Sequence, residues 1–183
     1  RVRVSLSVCL SCSAHYTYSM CVQPNTTLRL WPNGAPHHVV DTSTDSGFER
    51  LRRTDPSSAE LKVFLPPPAV HTGVAFVVVP GGSYRPGPYG WCKKAEGTDV
   101  AEWLQSIGVV GVVLDYRLAG RPEVPLSDAL RAIASVRRQA PAWGVDPAKV
   151  GVMGFSAGGH LAALATTAWT SASVDRPDMS VLI

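Results

Sequence analysis

The sequence predicts an α/β fold, a mostly parallel sheet with helices on both faces. Three observations predict it. "GVAFVVVPGG" (Gly73–Gly82), "VVGVVLDY" (Val109–Tyr116) and "KVGVMGF" (Lys149–Phe155) are nearly continuous apolar runs, as expected of strands buried on both faces. The stretches between them carry apolar residues at helical spacing. The connections are short, and strand–helix–strand alternation with short connections implies right-handed crossovers and parallel pairing.

In chain order, residues 1 to about 58 read as irregular, rich in Ser, Thr, Asn and Pro, with turn signals at Pro32-Asn33-Gly34 and Asp55-Pro56. "ELKVFLPPP" (Glu60–Pro68) alternates and then breaks on three prolines, which predicts a strand near a sheet edge. After the Gly73–Gly82 strand, Val100, Leu104 and Ile107 form an apolar stripe. Thr98 is placed to cap that helix, Asp99 and Glu102 sit near the positive end of its dipole, and Gly108 is a stop. After the second strand a helix is expected from about Ser127, with Leu126, Leu130, Ile133 and Val136 on one stripe and Arg131, Arg137 and Arg138 off it, ending near Trp143-Gly144. Asp146-Pro147 turns the chain into the third strand, Ser156 opens the small-residue helix "SAGGHLAALATTAW", and "SVLI" begins another strand.

Composition narrows the classes of function. Of 183 residues 45% are apolar and 17% charged, enough for one domain with a real core. The net charge of +3 comes from 17 basic and 14 acidic residues interspersed along the chain, with no basic run dense enough to track phosphates, so nucleic acid is not an expected partner. No stretch approaches the roughly 20 apolar residues of a membrane span. The segment "RVRVSLSVCLSCSAHYTYSM" has the basic start and small residues of a secretory signal, but Ser5, Ser7, Ser11 and Ser13 dilute its apolar run. An irregular leader is the favoured reading, and cytoplasmic and secreted locations both stay open. Cys9-x-x-Cys12 lacks a second close pair, and with Cys21 and Cys92 the cysteines read as free or incidental thiols, so no metal site is expected. The first residue is Arg1 and the last three are the β-prone Val181-Leu182-Ile183, which raises the expectation of a fragment.

Gly154-Phe155-Ser156-Ala157-Gly158 fits G-x-S-x-G between a strand and a helix, the context in which that motif presents a nucleophilic serine. A sharp strand-to-helix turn would lift the Ser156 hydroxyl off the sheet in a strained backbone conformation. Side chains two positions to either side would clash there, which accounts for the glycines. Pro80-Gly81-Gly82-Ser83-Tyr84 ends an earlier strand, where glycines let backbone N–H groups point at a substrate oxygen; taken alone it reads as a tight turn. The amides of Gly82, Ser83 and Ala157 are the candidate oxyanion hole.

From "LWPNGAP" (Leu30–Pro36) through "PGGSY", "EGTDVAEWL", "LDYRL", "PLSDALRAIASVR" and "WGVDPAKVGVMGFSAGGHLAA" to "RPDMSVLI", the chain resembles the α/β-hydrolase esterases and lipases. It is most similar to the carbohydrate-esterase-like branch with acetylxylan esterases and feruloyl-esterase-like and hormone-sensitive-lipase-like proteins. The resemblance covers residues 28 to 183 and implies the N-terminal part of a single α/β-hydrolase domain, truncated after the helix that follows Ser156, with residues 1–27 as leader. It implies hydrolysis of carboxylic esters, acetyl or aryl esters of carbohydrates among them, a small-molecule ester as partner, and no metal or organic cofactor. Ser83 stands where the family usually has a third glycine, a change that keeps the backbone donor.

In that family the triad runs Ser, then Asp or Glu, then His. After Ser156 there are only His160, Asp175 and Asp178. His160 sits on the same helix, badly placed to be a base, and a histidine there is structural in the family. Asp175 and Asp178 precede the last strand and read as loop or cap residues. His15, His37, His38 and His71 read as solvated or satisfied. Asp115 and Arg117 could line a pocket, though turn-fixing hydrogen bonds and packing are favoured. Tyr84, Tyr89 and Trp91 could contact an acyl or sugar group or simply pack in their loop. The resemblance implies on the order of a hundred further residues carrying the acid and base. The 183 residues alone are expected to be inactive or nearly so. The alternatives are an inactive fragment that binds a ligand or partner, and peptidase or thioesterase chemistry on the same scaffold. Oligomeric state is not legible.

Overall fold

The computed structural model describes residues 26–36, 59–84, 94–118, 123–168 and 174–183. The leader with His15 and its three cysteines, His37 and His38, the Asp55-Pro56 turn, and Tyr89, Trp91 and Cys92 lie outside the described residues. The strands are β1 (Thr26–Arg29), β2 (Glu60–Phe64), β3 (Ala75–Val79), β4 (Val110–Asp115), β5 (Val150–Gly154) and β6 (Met179–Leu182), and the α-helices α1 (Asp99–Ser106), α2 (Glu123–Trp143) and α3 (Ala157–Thr167). They form a single six-stranded sheet in the order β1-β2-β4-β3-β5-β6. β1, β2 and β4 pair antiparallel, while β4, β3, β5 and β6 run parallel.

Side chains alternate faces along each strand, so the sheet has two different coats. Leu61 and Val63, Ala75, Val77 and Val79, Val110, Val112 and Leu114, and Val150 and Val152 face one way and pack with Ala129, Ala132, Ile133, Val136 and Ala140 of α2 and Leu161, Ala162 and Ala165 of α3. Phe64 and Val113 face the other way and pack with Ala101 of α1. α1 lies very close to β4 because Gly111 leaves room for it: a Cβ there would stand 2.7 Å from Ala101 Cα. The expectation of helices on both faces of a mostly parallel sheet is met.

Several elements differ in detail from the sequence reading. β1 falls in the stretch read as irregular, because four residues give too little alternation to register, and it places β2 one strand in from the edge. α2 begins at Glu123 rather than near Ser127, its Pro125 falling in the first turn where no N–H is required. Thr98 caps nothing. Lys94–Thr98 is a π-helical turn leading straight into α1, so Thr98 already has helical angles (φ −60°, ψ −48°). Ile107 is not part of the buried stripe: it terminates α1 and is 48% exposed, while Ala101 and Leu104 are the buried positions.

Arg117 and Asp128 are fully buried and paired, with Arg117 Nη2 2.6 Å from Asp128 Oδ1. Asp128 also accepts the Arg117 backbone N–H at 2.9 Å and the Trp31 indole N–H at 2.7 Å. The guanidinium also donates to the Pro36 carbonyl at 3.1 Å and to Ser127 Oγ at 3.2 Å. Arg117 therefore fixes the turn after β4 and ties the Leu30–Pro36 segment to α2. His71 is satisfied in the same way: Nδ1 accepts the Gly73 N–H at 3.0 Å and Nε2 lies 2.8 Å from the Trp143 carbonyl, the ring being assigned as the Nε2–H tautomer by these partners.

Removing one partner of a buried ion pair strands the other charge. Asp128→Ala is expected to destabilise the fold by about 3–5 kcal/mol, read as a lower urea midpoint.

Candidate active site

β5 ends at Gly154 and α3 begins at Ala157, so Phe155 and Ser156 alone make the turn between them. Ser156 has φ 51° and ψ −117°, a sparsely populated conformation that costs a non-glycine residue on the order of 1–3 kcal/mol. The surrounding backbone holds it there. Phe155 N–H donates to the Val79 carbonyl at 3.1 Å, Ser156 N–H to Ile183 at 2.7 Å, and Gly158 N–H to Phe155 at 2.7 Å. The Ser156 side chain is exposed and does not cap the helix.

The two glycines of the motif are required sterically, as the sequence reading anticipated. A Cβ on Gly158 would overlap the Val79 carbonyl oxygen and come within 2.6 Å of the Pro80 oxygen. A Cβ on Gly154 would overlap the Gly158 carbonyl and meet Ala162 Cβ at 2.8 Å. The first turn of α3 thus rests directly on the end of β3.

That contact brings the segment after β3 beside Ser156. A Cβ added to Gly81 would be 3.1 Å from Ser156 Cβ, and the Gly81 N–H donates to Glu96 Oε2 at 2.8 Å. Gly82, Ser83 and Tyr84 then adopt φ of 134°, 55° and 54°, three successive positive values that bend the chain sharply. The Ala157 N–H opens α3, among the donors that an α-helix leaves without an intrahelical acceptor. Ser156, Ala157, Gly82 and Ser83 therefore belong to two adjacent turns at the carboxyl ends of β3 and β5.

The other candidates lie elsewhere or are occupied. His160 Nδ1 is 3.0 Å from the Tyr84 hydroxyl, and the two rings meet edge-on with centroids 6.0 Å apart. Tyr84 also meets Tyr116 at 6.0 Å, and the Tyr116 hydroxyl donates to the Pro80 carbonyl at 2.9 Å. Burial pushes both tyrosine hydroxyls up, Tyr116 the further, so both stay protonated at neutral pH. Asp178 accepts from Arg137 Nη2 at 2.7 Å and from the Val150 N–H at 3.0 Å, joining α2, β5 and the approach to β6. Glu96 and Tyr116 were not singled out from the sequence. Glu96 carries no motif of its own in the sequence, and the π-helical turn Lys94–Thr98 places its carboxylate on the Gly81 N–H. Among the described residues no cluster of three or more His, Cys, Asp or Glu could hold a metal ion, and no helix is long and apolar enough to cross a membrane.

The class follows from the strand order, the crossovers and the solved neighbours: this is an α/β-hydrolase fold. An acetyl ester-xyloside bifunctional hydrolase from Caldicellulosiruptor lactoaceticus superposes with a TM-score of 0.65 at 30% identity, covering 90% of this chain and 58% of that one. Esterase 2 of Thermogutta terrifontis superposes at 0.55 with 26% identity, covering 71% and 49%. The BD-FAE family model matches residues 61–181, and the chain belongs to that family of α/β-hydrolase esterases. An acetylxylan esterase of Xylanibacter ruminicola is 36% identical over 133 residues, 72% of this chain and 26% of that protein. The chain spans less than two thirds of each of these relatives.

Gly158→Ala drives a methyl group into backbone rather than into a side chain that could rotate away. It is expected to destabilise the fold by on the order of 1–3 kcal/mol, seen as a drop in thermal midpoint.

Proposed function

We propose that the protein is a serine hydrolase of carboxylic esters in which Ser156 is the nucleophile and the backbone N–H groups of Gly82, Ser83 and Ala157 form the oxyanion hole. The observation that carries this reading is the backbone of Ser156, held at φ 51° in a two-residue turn between strand and helix with its hydroxyl exposed. Strain of that kind persists only where the surroundings enforce it.

Ser156 Oγ attacks the ester carbonyl while a base takes its proton. The carbonyl oxygen becomes an oxyanion and accepts hydrogen bonds from the Gly82, Ser83 and Ala157 amides. Collapse of the tetrahedral intermediate expels the alcohol, which receives the proton, and leaves an acyl group on Ser156. Water then adds to the acyl carbonyl by the same steps and releases the acid. His160 is engaged with Tyr84 one helical turn beyond Ser156, so the base and its orienting carboxylate are assigned to residues outside those described. The acetylxylan esterase and acetyl ester-xyloside hydrolase among the relatives favour small acyl esters of carbohydrates as the substrate class.

A fluorophosphonate probe tests the assignment directly, since a Ser156 Oγ–P bond forms as fluoride leaves only if the hydroxyl is activated. The Thermogutta terrifontis neighbour is phosphonylated by sarin. Expected are labelling of the full-length gene product at Ser156 and, in Ser156→Ala, loss of labelling with a fall in acetyl-ester turnover of on the order of a millionfold. Turnover that survives Ser156→Ala would overturn the reading.

A further inference from the structure

We infer that Glu96 and Tyr84 are positioning residues that clamp the two ends of the Gly82-Ser83 segment so that its amides face Ser156. The inference rests on the function proposed above and assigns roles that it does not contain.

Gly82, Ser83 and Tyr84 have successive positive φ angles, two of them at non-glycine residues, so the segment has little intrinsic preference for its shape. Three side-chain bonds surround it. The Tyr116 hydroxyl holds the Pro80 carbonyl at 2.9 Å, Glu96 Oε2 holds the Gly81 N–H at 2.8 Å, and the Tyr84 hydroxyl meets His160 Nδ1 at 3.0 Å. The residues tied are 80, 81 and 84, and the two between them are the ones whose amides the mechanism needs. Each tie also comes from a different element: the end of β4, the π-helical turn before α1, and α3. The Gly81 N–H is spent on Glu96 and cannot serve an oxyanion.

The charge of Glu96 argues against a direct role in the chemistry. A carboxylate near a developing oxyanion repels it, so its contribution must come through the bond to Gly81 rather than through its field. That separates the two explanations experimentally: Glu96→Gln keeps an acceptor oxygen and loses the charge, whereas Glu96→Ala loses both.

The test uses the full-length protein with two readouts, ester kinetics and hydrogen exchange of the amides at 81–84. Glu96→Ala and Tyr84→Phe are expected to lower kcat by about tenfold to a hundredfold with KM within about twofold, because misplacing a transition-state donor by an ångström costs that much. Glu96→Gln should return kcat to within a few-fold of wild type. His160→Ala combined with Tyr84→Phe should cost no more than either change alone. Amides 82–84 should exchange faster in Glu96→Ala and Tyr84→Phe. A kcat within about twofold of wild type in both variants overturns the inference, as does a Glu96→Gln variant as damaged as Glu96→Ala. If the wild-type protein turns over no ester, the serine-hydrolase reading fails on its own. Exchange then decides alone: faster exchange in the variants upholds the clamp, and unchanged exchange removes it.

Discussion

Everything around Ser156 depends on one close contact, the first turn of α3 lying on the end of β3. Gly158 has no side chain, so its backbone rests against the carbonyls of Val79 and Pro80, where a Cβ would overlap an oxygen. This contact does three things at once. It fixes how far α3 stands from the sheet, it leaves only Phe155 and Ser156 to turn the chain from β5 into the helix, and it sets the Pro80–Tyr84 segment beside that turn. The strained backbone of Ser156 persists beneath this contact, because such a conformation survives only where its surroundings enforce it.

The topology explains why the two turns meet at the carboxyl ends of β3 and β5. From β3 the chain leaves through the π-helical turn and α1, which pack on the Phe64–Val113 face. From β5 it leaves through α3, which packs on the opposite face. β3 and β5 are neighbours in the sheet, and their outgoing connections part to opposite faces at the carboxyl ends of the strands. Such switch points are where parallel sheets bind ligands. Gly81 and Ser156 lie side by side at this point. α1 buries only a few side chains against β2 and β4, but its approach over Gly111 carries the turn that brings Glu96 to Gly81.

Much of this is legible in the sequence, for a physical reason. β3, β4 and β5 are apolar on both faces, and the requirements for glycine at 154 and 158 are local and steric, so composition at a few positions reports them. What escapes is set by tertiary context. β1 is too short to show its period. Thr98 looks like a cap until the chain before it proves to be already wound. Asp128 reads as an ordinary polar residue of a helix, and only the fold shows that it is buried with Arg117 and takes the Trp31 indole N–H. Likewise the sequence puts Tyr84 in a loop without saying that its hydroxyl reaches across to His160.

Two kinds of polar group thus sit at the carboxyl ends of the strands, and their burial separates their roles. The Arg117–Asp128 pair is wholly buried and bonded to Ser127 and the Pro36 carbonyl, so it holds the loops in place away from solvent. Ser156 is the reverse case: exposed, strained, and not capping the helix that it begins. A helix gains about 1 kcal/mol from a serine that caps its N-terminus. Ser156 forgoes that gain: its φ of 51° and ψ of −117° lie far from the extended conformation of a capping residue, and its side chain makes no capping hydrogen bond. The geometry that costs this turn its cap therefore leaves the Ser156 hydroxyl exposed and not bonded to its own helix.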